Sequence, residues 1–179
     1  MRIHVTYTGG TIGMVDSPRG LTPGADPENR LDAALKEAGR SIGGISLTAL
    51  SPLIDSSDAT PESWQRIIDD LRAGASEADA FVVLHGTDTM AHTCAALSYA
   101  LTDLDCPVVV TGSQLPLGAV GSDAAPNIAG ALRAAASRRA RGVGLFFGHR
   151  LLAGNRAVKA SSWAFDAFDS PAVAPRAPG

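Results

Sequence analysis

Residues 80–84, Ala-Phe-Val-Val-Leu, form an unbroken apolar run that ends at His85 and a glycine. A run this short and this apolar has no polar face to turn to water. It suits an interior strand of a parallel sheet, buried on both sides beneath helices. The rest of the chain must then supply neighbouring strands and the helices that cover them.

It does so in alternation. Residues 2–8 read as a first strand closed by Gly9-Gly10, and 28–38 carry helical spacing through Leu31, Leu35 and Ala38, ended by Gly39. A second strand is predicted at 45–50. Thr60-Pro61 then opens a helix with a hydroxyl cap and a proline in the first turn, running to about residue 73. After the apolar run come a helix at 89–101, a strand at 106–111, a helix at 125–140 and a strand at 143–147. Strand and helix alternating in this way predict an α/β fold, a doubly wound parallel sheet of the Rossmann or flavodoxin kind with helices on both faces. We expect a single domain over 1–169, with 170–179, rich in proline and alanine, as a tail or linker remnant. The segment 14–27, with Pro18, Gly20, Pro23 and Gly24, is expected to be a long mobile loop able to close over a ligand. The basic cluster from Arg133 to Arg141 offsets a helix carboxyl terminus.

Charge and composition exclude several roles. A formal net charge of -3 leaves no basic footprint for nucleic acid. No segment approaches the ~20 apolar residues that span a bilayer, so no membrane partner is expected. No export signal is evident at the amino terminus, and Cys94 and Cys106 lack metal or redox spacing. Reduced thiols and a cytoplasmic location are the expectation.

The loops leaving the first four strands carry Thr8-Gly9-Gly10-Thr11, Asp55-Ser56-Ser57-Asp58, His85-Gly86-Thr87-Asp88-Thr89 and Thr111-Gly112-Ser113-Gln114. In a doubly wound sheet all four open on one edge, where ligands bind. Hydroxyls on every loop and carboxylates on two suit a small zwitterion. Taken singly, each loop could be only a tight turn or a helix cap. Two rival chemistries fit less well. The glycines do not follow a dinucleotide pattern and no lysine sits as in a phosphate loop. His85, Asp88 and His92 have metal-like spacing, but the Gly86-Thr87 turn interrupts it.

Thr8-Gly9-Gly10-Thr11-Ile12 and His85-Gly86-Thr87-Asp88-Thr89 resemble the two signature motifs of the bacterial-type L-asparaginases. The likeness continues through 7–14, 55–58, 111–116 and 154–159, and through 165–171 it is similar to the cytoplasmic type; it spans essentially the whole chain. The resemblance implies an amidohydrolase converting L-asparagine to L-aspartate and ammonia through a threonine nucleophile and a β-aspartyl acyl-enzyme, with glutamine as a minor substrate. It implies Thr11, Thr87, Asp88 and Lys159 as catalytic residues. Asp55, Ser56, Ser57 and Ser113, with Thr87 and Asp88, are implied as substrate-binding residues. No cofactor and no metal are implied, and the assembly is a homodimer or homotetramer. The family's smaller carboxyl-terminal domain is expected to be missing.

Two residues stand out against that pattern. Of fifteen basic residues thirteen are arginine, leaving only Lys36 and Lys159, so lysine is retained at the position that matches the family's base. Arginine cannot release its proton there. Leu21 falls where the family carries the tyrosine that activates the first threonine, which leaves open whether Thr11 or Thr87 is the nucleophile. The alternative function is a weakly active or non-catalytic amino-acid-binding remnant of the same fold.

Overall fold

The computed structural model describes residues 1–137 and 141–178. In chain order its strands and helices are β1 (Arg2–Tyr7), β2 (Met14–Ser17), β3 (Gly20–Pro23), α1 (Pro27–Ala38), β4 (Gly44–Ala49), α2 (Pro61–Ala73), β5 (Ala80–Leu84), α3 (Met90–Ala100), β6 (Val108–Thr111), α4 (Ala124–Ala136), β7 (Val143–Phe147), β8 (Arg150–Ala153), β9 (Val158–Lys159), β10 (Phe168–Asp169) and β11 (Ala177–Pro178). Single 3-10 turns occupy Thr11–Gly13 and Ser56–Asp58.

Among the described residues the main sheet has seven strands in the order β11-β8-β7-β6-β5-β1-β4. Strands β4, β1, β5, β6 and β7 are parallel, as the alternation predicts, whereas along one edge β8 pairs antiparallel with β7 and β11 antiparallel with β8. The sheet is therefore mixed at that edge. The cause is local: Gly148 and His149, both at positive φ, turn the chain straight back from β7 into β8 with no room for a crossover helix. The expected tail is likewise corrected in part, because Ala177 and Pro178 pair with Leu151 and Arg150.

Two cores sandwich the sheet. On one face α1 and α4 bring Leu31, Leu35, Ile128 and Leu132 against Ile3, Val5, Val82 and Val109; on the other α2 and α3 bring Ile67, Leu71, Met90 and Leu97 against Phe81, Val83, Val110 and Leu145. All five residues of β5 are buried. Helix α4 is described to Ala136, so the predicted continuation over 138–140, with Arg138 and Arg139, lies outside the described residues.

Strand order reverses beside β1. The chain passes from β1 to β4 on one side, then crosses back to β5 on the other. The loops after β1 and β5 diverge from this point, and a crevice opens between them at the carboxyl ends of the strands. The expected loop at 14–27 is corrected to an antiparallel hairpin, β2 and β3, in which Met14 faces Pro23 and Asp16 faces Leu21. Gly24 N donates to Gly13 O at 3.2 Å and fastens the base of the hairpin to the turn after β1.

Candidate active site

Gly9 and Gly10 make the crevice possible. Both hold positive φ, and a Cβ on Gly9 would lie 2.4 Å from the Ile54 carbonyl oxygen, one on Gly10 2.5 Å from Gly86 Cα. Only glycine tolerates that backbone and that closeness. The loops after β1 and β5 thus meet main chain to main chain. Thr89 Oγ donates to Ser56 O at 2.7 Å and draws in the third loop.

The result is a cavity of about 370 Å³ lined by Tyr7, Gly9, Gly10, Thr11, Met14, Leu21, Pro23, Leu53, Ile54, Asp55, Ser56, Gly86, Thr87 and Asp88. Its polar lining includes Thr11, Asp55, Ser56, Thr87 and Asp88, and the residues the hairpin contributes are apolar. Five of the residues singled out in the sequence therefore share one cavity. Lys159 joins them from outside the lining, its Nζ donating to Thr87 Oγ at 3.1 Å and to Asp88 Oδ1 at 2.8 Å. Thr87 Oγ passes its own proton toward Gln114 Oε1, 3.4 Å away.

Lys159 reaches this position by a device the sequence did not signal. It sits on β9, paired across a short antiparallel ladder with Phe168 of β10. Phe168 is buried and packs edge-on against Phe147, ring centroids 5.0 Å apart, which pins the hairpin to the core. Gln114 secures the hairpin's tip, its Nε2 donating to Ser162 O at 3.3 Å and Ala164 O at 3.0 Å. Gln114 in turn is held by Asp123, whose carboxylate accepts from the backbone N–H of Gln114 and of Leu115. Neither Gln114 nor Asp123 was singled out from sequence. The only signal for Gln114 was its place in the fourth strand-end motif.

Two expected binding residues are not brought into the lining. Ser57 spends its hydroxyl on Asp55 Oδ1 at 2.8 Å, with its backbone N–H on the same oxygen at 2.9 Å. Those hydrogen bonds hold the Asp55 carboxyl below its ordinary pKa, so it is an anion. Ser113 is buried, and its hydroxyl closes a local turn onto Leu115 O.

His85 is fixed for structure. Its Nδ1 lies 2.7 Å from Gly86 O, which can only accept, so Nδ1 carries the proton; Thr93 Oγ then donates to Nε2 at 3.1 Å and Trp64 Nε1 to Thr93 Oγ at 3.1 Å. Burial lowers its pKa and keeps it neutral. Both ring nitrogens are engaged, and Asp88 pairs with Lys159, which disposes of the His85, Asp88 and His92 metal alternative. Tyr7, buried at the end of β1, also borders the cavity. Its phenol is pushed up to about 12 by burial, offset in part by the nearby Arg30 charge.

Residues 2–178 match the family described as asparaginase, N-terminal. The chain is 47% identical over 174 residues to L-asparaginase 1 of Escherichia coli K12, covering 97% of this chain and 52% of that protein. The crystal structure of L-asparaginase I from Vibrio cholerae superimposes with a TM-score of 0.87 at 43% identity, over 97% of this chain and 52% of that one. A probable cytoplasmic L-asparaginase from Campylobacter jejuni gives 0.84 at 34% identity, over 97% and 54%. The chain spans about half the length of these relatives.

Proposed function

The chain belongs to the asparaginase family, as its amino-terminal domain, and from that premise we propose that it hydrolyses L-asparagine to L-aspartate and ammonia. The observation that carries this reading is the run Asp88–Lys159–Thr87, an acid, an amine and a hydroxyl within hydrogen-bond reach, its acid and hydroxyl lining a cavity that Thr11 also lines. In this mechanism Thr11 Oγ adds to the carboxamide carbon. The hydroxyl proton passes through Thr87 toward the Lys159 amine, which Asp88 holds at 2.8 Å. The proton goes to the departing nitrogen, the C–N bond breaks, and ammonia leaves a β-aspartyl ester. Water then enters, its proton is taken by the same groups, and aspartate is released. Backbone N–H groups near Thr11 and Thr87 meet the oxyanion, each such donor typically contributing ~3 kcal/mol. Ser56 binds the α-carboxylate and Asp88 the α-ammonium, with Asp55 beside them in the lining and Ser57 holding Asp55 in place.

Leu21 favours a second assignment within the same chemistry. It lines the cavity and has no proton to relay, and Thr11 Oγ has no hydrogen-bond partner among the described residues. Thr87, with Lys159 at 3.1 Å, is then the nucleophile. Acid-quenched turnover followed by peptide mass analysis decides, because the aspartyl adduct stays on whichever threonine attacked. Ammonia release from asparagine and glutamine tests the function itself. Thr11→Ala, Thr87→Ala and Lys159→Ala are each expected to lower kcat by roughly 10²–10⁴-fold, the range for loss of a positioned proton-transfer group. Asparagine binding without ammonia release establishes the alternative, an amino-acid-binding remnant.

A cytoplasmic location and an assembly of two or four copies complete the reading. The first is supported by the similar Campylobacter protein's description, the second by the exposed apolar side chains of Tyr99, Val120, Trp163 and Phe165. Among the described residues no helix is long and apolar enough to cross a membrane. Sedimentation velocity measures the assembly.

A further inference from the structure

Everything the hairpin of β2 and β3 contributes to the cavity is apolar: Met14, Leu21 and Pro23. The hairpin grows directly from the turn that carries Thr11, so this wall stands next to the reacting hydroxyl. The groups suited to an α-carboxylate and α-ammonium, Ser56, Asp55 and Asp88, lie in the polar lining. A substrate held there with its carboxamide at Thr11 has its leaving amine in the same cavity as the hairpin side chains. The side chains of Met14, Leu21 and Pro23 carry no oxygen or nitrogen to accept from the two N–H bonds of a primary amide. Sites reject analogues strongly when a buried polar group loses its partner, and this wall has no such group to leave unpaired. At about 370 Å³ the cavity also falls in the range that takes ligands larger than a four-carbon amino acid.

We propose that the site accepts L-asparagine derivatives whose amide nitrogen carries an apolar group, with Leu21 and Met14 as the residues that bind that group. This rests on the asparagine-hydrolase reading and extends it to a substrate class. The chemistry is unchanged and balances: the threonine oxygen bonds to the β-carbonyl carbon, the C–N bond breaks, the amine leaves carrying the threonine proton, and water hydrolyses the ester to aspartate. The products are aspartate and a primary amine in place of ammonia.

The probe is N4-benzyl-L-asparagine, followed by chromatographic release of benzylamine and compared with ammonia from L-asparagine on the same purified chain. Burying about half of the phenyl surface against the hairpin wall lowers KM by about tenfold relative to asparagine. Leu21→Asn and Met14→Gln, on separate strands, should each lower the ratio of kcat/KM for benzyl amide over asparagine by about fivefold. Comparing ratios within each variant cancels the intrinsic reactivity of the two amides. Hydrolysis of asparagine with no turnover of the benzyl amide, or with a higher KM for it, overturns the proposal and leaves the asparagine reading standing. A ratio that neither substitution moves overturns the assignment to Leu21 and Met14. No release from either substrate removes the underlying reading, and this proposal with it.

Discussion

Gly13 leaves no room for a methyl group: a Cβ there would lie 2.0 Å from the Tyr7 hydroxyl and 2.7 Å from the ring carbon that bears it. Overpacking of that kind typically costs 1–3 kcal/mol, so Gly13→Ala should lower stability by about 2 kcal/mol in urea unfolding and disturb the turn that carries Thr11. Tyr7→Phe removes the nearest atom only. In the double variant about half of that loss should return, a coupling that a mutant cycle reads directly; strict additivity of the two changes would contradict the geometry. At this scale the sequence was informative about type and silent about aim. Thr11, Ser56, Thr87, Asp88 and Lys159 were legible from motif and residue type. The inward turn of Ser113 and the engagement of Ser57 with Asp55 were not, because a serine's short side chain bonds equally well to its own loop.

The elements that position the site divide in the same way. Strands β1, β4, β5, β6 and β7 and all four helices follow from apolar runs and helical spacing, and their boundaries fall within a few residues of expectation. The short strands do not. Two-residue pairs such as β9 and β10 are too brief to show a period, and their pairing is imposed from a distance by the burial of Phe168. That aromatic ring is what delivers the amine on the opposite strand. Phe168→Ala should destabilise the fold by roughly 3–5 kcal/mol, as truncation of a buried phenylalanine does. If enough folded protein survives, ammonia release per folded molecule should also drop. Unfolding curves and activity measured on the same preparation separate the two effects. Full specific activity in the folded fraction would show that Lys159 holds its place without the anchor.

For the molecule as a whole, the neutral His85 ties stability to pH. An unfolded histidine takes up a proton below about pH 6.5, whereas the buried imidazole, with its pKa depressed, does so only at lower pH. The contribution is complete above pH 6.5. It declines by about 1.4 kcal/mol for each pH unit below that value, until the folded imidazole itself protonates. His85→Gln should flatten this part of the acid limb in urea titrations run from pH 7 to pH 5; a wild-type slope identical to the variant's would exclude the link. Asp70 acts further down the scale. Burial works to raise its pKa, but hydrogen bonds from His4 and Thr6 outweigh it, so the net shift is downward and its share of stability is lost only in stronger acid. The chain alternation announced a layered α/β body, but no linear pattern could announce which buried polar groups share protons.

The hairpin of β2 and β3 and the Thr11 side chain stand on one continuous stretch of backbone, β1 leading through Thr11–Gly13 straight into β2, with Gly24 tied back to Gly13. Hairpin and hydroxyl are in that sense a single part. A change that tilts the hairpin would therefore also shift Thr11, so the shape of that side of the crevice and the aim of the hydroxyl cannot be altered independently.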